Sequence, residues 1–115
     1  MPCFFKNRGL LRPFDQGKIH WVDFPGNTQS AVSMVRVIDK PSSLDIENAD
    51  TLFNQVFGGE FSSRLNMNLR ESKGYTYGAY SAIVLWKKLG LFMMSAMVKA
   101  DTTKASIEEM ISELK

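Results

Sequence analysis

Arg70 and Tyr77 are the two side chains whose types and spacing best fit work on a polar substrate. Arg70 lies near the end of a predicted short helix, where the helix dipole favours a cation, and Tyr77 lies in the strand predicted to follow. A guanidinium and a phenol both donate hydrogen bonds, so the pair could converge on one ligand. Gly78, next to Tyr77, would let another backbone approach the strand closely. The alternative is structural: a solvated arginine, and a tyrosine that packs in an ordinary strand.

The other chemistry-bearing residue types exclude several complete catalytic sites. His20 is the single histidine, so a His-Glu-x-x-His zinc site cannot form, and we interpret His20 as a surface or interface residue. The chain has no Gly-x-Ser-x-Gly elbow, and the Gly58-Gly59 pair lacks the spacing of a phosphate loop and indicates a helix end. Cys3 is the single cysteine and cannot form an internal disulfide. These residues therefore predict no cofactor or metal site within this chain.

Composition limits the size of the fold and the kinds of partner. The chain has 115 residues, of which 44% are hydrophobic and 23% charged, which fits one globular domain and argues against a disordered chain. Its 14 basic and 12 acidic side chains leave a net charge of +2, too small for a strong field toward nucleic acid or an anionic membrane. The apolar stretches are too short to cross a bilayer, so we expect no membrane span.

The elements that must position Arg70 and Tyr77 are predicted from periodicity and turn residues. Residues 18–24 and 30–38 favour two strands, the second of them buried on both faces. A helix is expected to start at Ser42 or Ser43 and to stop at Gly58-Gly59. The face of this helix that is expected to pack on a sheet consists of Ile46, Ala49, Phe53, Val56 and Phe57.

The second half of the chain predicts a short helix, a hairpin and a last helix. The short helix covers residues 62–71, and the hairpin joins strands at 75–86 and 91–98. Asp101 or Thr102 is expected to cap the last helix. The order β-β-α-α-β-β-α predicts an α+β fold with a largely antiparallel sheet and helices packed on one face.

The chain is expected to consist of a loosely ordered N-terminal arm, residues 1–17, and a partial domain, residues 18–115. The last helix reaches the C-terminus without a glycine or proline stop, which predicts a fold that is incomplete at that end. Such a fold leaves a sheet edge and apolar surface uncovered, and we therefore expect the chain to form homo-oligomers.

Three motifs around Arg70 and Tyr77 resemble the pitrilysin (insulinase-type) zinc peptidases, and more narrowly their second, non-zinc domain, often called the inactive domain. They are Gly-Gly-Glu-Phe-Ser-Ser-Arg-Leu at 58–65, Leu-Arg-Glu at 69–71 and Lys-Gly-Tyr-Thr-Tyr at 73–77. Flanking similarities at 22–30 and 101–109 extend the resemblance over residues 18–115. The combination is long and therefore more specific than a single short motif.

The resemblance implies an enzyme built from paired homologous α+β domains that close around a chamber. One domain holds zinc through an inverted His-x-x-Glu-His motif, which this chain lacks. The facing domain is implied to contribute an arginine and a tyrosine: here Arg70 would bind a carbonyl of the peptide substrate, and Tyr77 would donate its phenol to the tetrahedral oxyanion. Zinc, the activated water and the general base would come from a zinc-bearing partner domain or subunit, so this chain would be inactive by itself.

Two functions from other classes stay open. Some relatives with this fold are non-catalytic scaffold subunits. The presence of both Arg70 and Tyr77 argues against that role here. Residues 73–80 also fit part of an RNA-recognition strand, in which Tyr75 and Tyr77, two residues apart on one face, would stack on a single strand. That pattern fails at two positions, Thr76 and Gly78, and the weak net charge also argues against it.

Overall fold

The computed structural model describes residues 19–39, 41–87 and 89–115, and the predicted arm at residues 1–17 lies outside these ranges. The strands are β1 (Gln29–Ile38), β2 (Thr76–Leu85) and β3 (Gly90–Lys99). The helices are α1 (Leu44–Asn54), α2 (Arg64–Asn66) and α3 (Thr103–Glu113). α1 continues as a π-helical turn over Gln55–Gly59, α2 continues in the same way over Met67–Ser72, and a 3-10 turn, Ala100–Thr102, precedes α3. We call residues 64–72 the site helix because this helix carries Arg70.

The three strands form one antiparallel sheet with the spatial order β1-β3-β2. Val32 of β1 lies opposite Ala96 of β3, which in turn lies opposite Ala79 of β2. All three residues are buried, because this face of the sheet is covered by the helices. The core that forms there consists of Val32, Phe57, Leu65, Leu69, Ala79, Met94, Ala96, Val98 and Met110. The predicted α+β class, antiparallel sheet and one-sided helical layer are confirmed.

The first predicted strand, at residues 18–24, is wrong for the part of it that the structure describes. Residues 19–24 have no strand partner there, so the described order is β-α-α-β-β-α. Ile19, Trp21, Val22 and Phe24 are each between 70% and 80% exposed. Alternating apolar residues favour a strand, but a strand also needs a neighbour to accept its hydrogen bonds, and the local pattern does not supply one. The turn that follows is formed, with Gly26 at a φ of 87°.

Burial of β1 on both faces is also a wrong prediction. Val32 is 8% exposed on the helix-covered face, whereas Val35 and Val37, which point to the other face, are 47% and 41% exposed. We call this uncovered side of the sheet the open face. No second layer of described residues covers the open face. Apolar residues on both sides of β1 therefore did not indicate which side would be covered.

α1 begins as predicted, but its apolar face is mostly uncovered. Ser43 is the N-cap, and its hydroxyl accepts a hydrogen bond from the backbone N–H of Ile46 at 3.4 Å. Of the predicted buried face only Phe57 is buried; Phe53 is half exposed. The rings of Phe53 and Phe57 stack at 5.3 Å, and Phe57 packs on Phe92 of β3 at 5.8 Å. The first helix therefore meets the sheet through its C-terminal turn, and helical periodicity alone did not indicate how much of the face would find a partner.

Gly58 is the point at which the first helix crosses β2. A Cβ atom at this residue would lie 2.6 Å from the backbone N of Ser81 and 2.8 Å from Cδ1 of Leu65. The Ser81 hydroxyl donates to Oδ1 of Asn54 at 2.7 Å across the same contact. The glycine pair does end the helix, as predicted, but the requirement at Gly58 is close approach to a neighbouring strand rather than an unusual backbone angle.

Gly58→Ala is expected to destabilise the chain by about 1–3 kcal/mol, because the added methyl group must displace strand backbone and the Leu65 side chain. Urea unfolding followed by circular dichroism measures the change. The matched control is Gly78→Ala, since the nearest atom to a Cβ there is Asn66 Oδ1 at 3.9 Å, and this variant should stay within about 0.5 kcal/mol of wild type. Equal midpoints for Gly58→Ala and wild type would contradict the close crossing.

Candidate functional site

The structure places both predicted site residues, Arg70 and Tyr77, on one cleft. The cleft has a volume of about 250 Å³ and lies at the end of the sheet where β1 and β2 begin and β3 ends. Arg70 reaches it from the site helix, and Tyr77 from the first residues of β2. The cleft is lined by Gln29, Arg70, Gly74, Tyr75, Thr76, Tyr77, Met97 and Lys99.

The turn between the site helix and β2 brings these two residues to the same cleft. Gly74 adopts a φ of 64°, in the left-handed region that glycine enters without a steric penalty. On either side of it, the N–H of Lys73 donates to the carbonyl of Asn68 at 2.9 Å, and the N–H of Tyr75 donates to the carbonyl of Leu69 at 2.8 Å. These bonds close the helix and start the strand within two residues. The seven residues from Arg70 to Tyr77 therefore span the end of a helix, a tight turn and the start of a strand.

The Arg70 guanidinium is held by two neighbours and keeps one donor unused. Its Cζ lies 3.5 Å from the centre of the Phe61 ring, a cation–π contact, and its Nη2 lies 2.7 Å from Oε1 of Glu71. Nη1 is buried and has no hydrogen-bond partner among the described residues. A buried donor without a partner is uncommon in native proteins, so Nη1 needs an acceptor that the described residues do not supply.

Tyr77 lies in a bulge that holds it away from the sheet. The pairing of β2 with β3 shifts register between Thr76 and Ala79, and the Tyr77 side chain is 90% exposed. The hydroxyl of Thr76 lies 2.5 Å from the carbonyl of Met97, and the N–H of Gly78 donates to that hydroxyl at 3.1 Å. Thr76 therefore replaces part of the interrupted backbone ladder and fixes the shape of the bulge.

Asn66 is a positioning residue that the sequence analysis missed. It is 5% exposed, and its Oδ1 accepts a hydrogen bond from the backbone N–H of Ala79 at 2.9 Å, just after the bulge. Its amide nitrogen is held by the carbonyl of Glu60 at 3.1 Å and the hydroxyl of Ser63 at 3.2 Å. Asn66 thus ties the site helix to the strand that carries Tyr77. No local signal marks it, because its partner lies 13 residues further along the chain.

Tyr75 and Tyr77 do not present one flat surface. Tyr75 packs against the core and is partly buried, whereas Tyr77 is exposed. Both side chains line the cleft, but Tyr75 precedes β2 and packs on the core, whereas Tyr77 lies in the bulge between Thr76 and Ala79. Stacking of two successive bases on this pair is therefore not favoured.

Polar contacts fasten the site helix to α3. The side-chain amide of Asn68 donates to Oε2 of Glu109 and to Oε1 of Glu113, both at 2.9 Å. Arg64 pairs with Glu113 at 3.0 Å, and Lys73 pairs with Glu109 at 3.3 Å. The hydrogen bond from Asn68, followed by the contact with Lys73, lowers the pKa of Glu109 below its ordinary value.

The lowered pKa gives a pH-dependent prediction for Glu109→Gln. The carboxylate stabilises the folded chain at neutral pH, and this contribution is lost as the pH falls through the lowered pKa of the folded state. The variant should therefore unfold at lower urea than wild type at neutral pH, and the two midpoints should converge in acid.

Glu108→Gln is the matched control, because Glu108 is more exposed and forms a long ion pair with Lys104, at 3.9 Å. It should leave the urea midpoint near that of wild type over the whole pH range. A constant difference between Glu109→Gln and wild type from neutral pH into acid would contradict a role for the ionised carboxylate.

Among the residues that the structure describes, no three His, Cys, Asp or Glu side chains gather where they could hold a metal ion. His20 is exposed. In the same ranges, no helix has the length and apolar character needed to cross a membrane.

Comparison with known proteins gives one family and one related structure. A family model described as the peptidase M16 inactive domain matches residues 6–115. A crystal structure of a peptidase M16 inactive domain from Pseudomonas fluorescens is similar, with a TM-score of 0.70 and 26% sequence identity. That match covers 76% of this chain and 21% of the other, so it spans about a fifth of the length of the Pseudomonas chain. No curated protein matches significantly.

Proposed function

Because the chain belongs to the peptidase M16 inactive-domain family, we propose that it is the substrate-facing, non-zinc half of a zinc-dependent endopeptidase. The observation that supports this most directly is the single cleft that holds both an arginine with an unused donor and an exposed phenol. In this role the chain binds a peptide together with a homologous domain or subunit that carries zinc. The metal and the activated water belong to that partner, and this chain supplies hydrogen-bond donors.

Arg70 is proposed to bind a carbonyl of the peptide. Phe61 supports the plane of the guanidinium, and Glu71 occupies Nη2, so the group is oriented before a substrate arrives. Nη1 is closed to solvent, so an adjustment of the side chain that opens it to a peptide carbonyl would form a charge-assisted hydrogen bond and satisfy a donor that is otherwise buried without a partner. Formation of this hydrogen bond is favourable, because an unsatisfied buried donor costs about 1–3 kcal/mol.

Tyr77 is proposed to donate its phenolic hydrogen to the oxyanion that forms when the carbonyl is attacked. The bulge at Thr76 places this side chain in solvent at the cleft, and its phenol makes no hydrogen bond to another described residue. A donor that meets charge only in the transition state lowers the barrier more than it tightens substrate binding.

A non-catalytic scaffold subunit is the second candidate, since it would have the same fold. A scaffold needs neither an oriented guanidinium nor an exposed phenol at one cleft, so the geometry favours the peptidase role. A single-stranded RNA-binding module is disfavoured by the partial burial of Tyr75.

Substitution of the two residues in the assembled peptidase tests the proposal. Assembled here means this chain together with the domain or subunit from the same source that carries His-x-x-Glu-His. Tyr77→Phe should lower kcat for a fluorogenic peptide by about 10²- to 10³-fold, the usual effect of removing one oxyanion donor. Arg70→Ala should lower kcat/KM by about 10- to 100-fold, the value of one charge-assisted hydrogen bond.

Two controls separate this role from general damage. Zinc content should stay constant in both variants, because neither residue is proposed as a ligand. Tyr80→Phe removes a hydroxyl from another exposed tyrosine of β2, outside the cleft, and should leave cleavage unchanged. Cleavage at the wild-type rate by Arg70→Ala and Tyr77→Phe would refute the peptidase role and favour the scaffold.

We also propose that the free chain forms homo-oligomers through the open face of the sheet. This face exposes Val35, Tyr80 and Met97 at 47%, 63% and 49%, and no layer of described residues covers it. Burial of such a surface against a second copy removes apolar area from water and is favourable by about 25 cal/mol per Å².

Val35→Lys places a charge on the open face and should shift the chain toward monomer in light scattering at high concentration. Leu44→Lys is the matched control, because Leu44 is 70% exposed on α1, away from this face. If Leu44→Lys and not Val35→Lys shifts the chain to monomer, the oligomer does not form through the open face. A monomeric wild type would contradict self-association itself.

A further inference from the structure

Lys99 is the second positively charged residue, after Arg70, in the lining of the cleft that also holds Tyr77. It is the last residue of β3 and lies directly opposite Gln29, the first residue of β1, which lines the cleft too. Its side chain is exposed and makes no ion pair with any residue that the structure describes. The function proposed above assigns no role to it.

Among the described cations around the cleft, Lys99 is the one that has no carboxylate partner. The Arg70 guanidinium has Glu71 at 2.7 Å, and the nearby Lys73 ammonium has Glu109 at 3.3 Å, so each of these cations has a carboxylate partner. The lining itself contains two cations, Arg70 and Lys99, and no carboxylate. The cleft therefore favours negative charge, and the uncompensated part of its positive charge comes from Lys99.

The backbone of Lys99 is fixed, so its ammonium stays within reach of the cleft. The N–H of Lys99 donates to the carbonyl of Tyr75 at 3.0 Å, and its carbonyl accepts a hydrogen bond from the hydroxyl of Thr102 at 2.9 Å. The next residue is held as well, because the N–H of Ala100 donates to the carbonyl of Thr28 at 3.0 Å. A flexible side chain on a rigid sheet end can follow a ligand charge without moving the site.

We infer that Lys99 determines specificity by selecting peptides that carry a carboxylate close to the bond held by Arg70 and Tyr77. The inference rests on the proposed function, which supplies the peptide and its place in the cleft. The carboxylate is that of an Asp or Glu side chain or of a free peptide C-terminus. Lys99 acts as a point charge here and touches neither the scissile carbonyl nor the oxyanion.

Fluorescence anisotropy with short labelled peptides tests this on the chain itself. A neutral parent peptide is compared with versions that carry one central Glu or one central Lys, each with an amidated or a free C-terminus. The Glu or free-acid peptide should bind about fivefold more tightly than the neutral amide, the upper end of an exposed charge pair. The preference should disappear near 1 M salt, where the Debye length is about 3 Å.

Variants of Lys99 decide whether this residue is responsible. Lys99→Gln should remove the preference for the carboxylate, and Lys99→Glu should reverse it in favour of the Lys peptide. The matched control is Lys87→Gln, which removes the same charge at the opposite end of the sheet and should keep the wild-type preference. Circular dichroism confirms that each variant is folded before its binding is compared.

The outcomes separate the inference from the proposed function. If wild type binds all the peptides equally and Arg70→Ala weakens that binding, the role of Lys99 is overturned. The proposal that the cleft binds a peptide is then still supported. A carboxylate preference that survives in Lys99→Gln would overturn it as well. No binding of any peptide would overturn both. A preference carried by the central Glu, or by the free C-terminus alone, supports the inference and identifies the source of the carboxylate.

Discussion

The close contact between the site helix and β2 is the constraint on which the rest of the site depends. Leu65 and Leu69 are fully buried beneath the sheet, and Asn66 between them bonds to the backbone of Ala79. Gly58 brings the C-terminal turn of the first helix against the same strand, next to Ser81 and Leu65. With the helix fixed by packing and the strand fixed by pairing, the turn at Gly74 brings Arg70 and Tyr77 to the same cleft.

The electrostatics of Arg70 follow from the same contact. An ion pair such as that with Glu71, half exposed to water, is worth only about 0–1 kcal/mol. A cation–π contact with an exposed ring such as Phe61 adds about 0.5–1 kcal/mol. The buried and unpartnered Nη1 costs a comparable or larger amount, about 1–3 kcal/mol. The arginine is thus held in place by contacts that do not satisfy it fully, which leaves a favourable free energy for an added acceptor.

Sequence reasoning succeeded where the determining contacts are local. Turn residues and periodicity predicted the hairpin, a helix at 62–71, which forms at 64–72, and a cap at Ser42 or Ser43, of which Ser43 is the cap. The motifs around Arg70 and Tyr77 also predicted the family correctly, since they describe a helix end, a turn and a strand start that are contiguous in the chain. The roles of the two residues in catalysis stay predictions.

The failures share one physical cause, which is that periodicity describes a surface and not its partner. Residues 19–24, the open face of β1 and most of α1 all carry apolar side chains that described residues leave exposed. Asn66 was missed for the complementary reason: a buried amide is identified by its distant partner, here Ala79, and nothing near it in sequence points there.

The side chains at the cleft limit what this chain can contribute to a reaction. Guanidinium, ammonium and phenol groups can all donate hydrogen bonds, so under the proposed function Arg70 and Tyr77 bind and polarise the peptide while Lys99 attracts its carboxylate, and none of the three activates water. Under the proposed function that step belongs to the metal on the facing module, whose field would strengthen the same carbonyl polarisation from the other side. A donor whose backbone is already in place needs less reorganisation as charge develops, so under that function the rigid contact between the site helix and β2 contributes more than any single side chain.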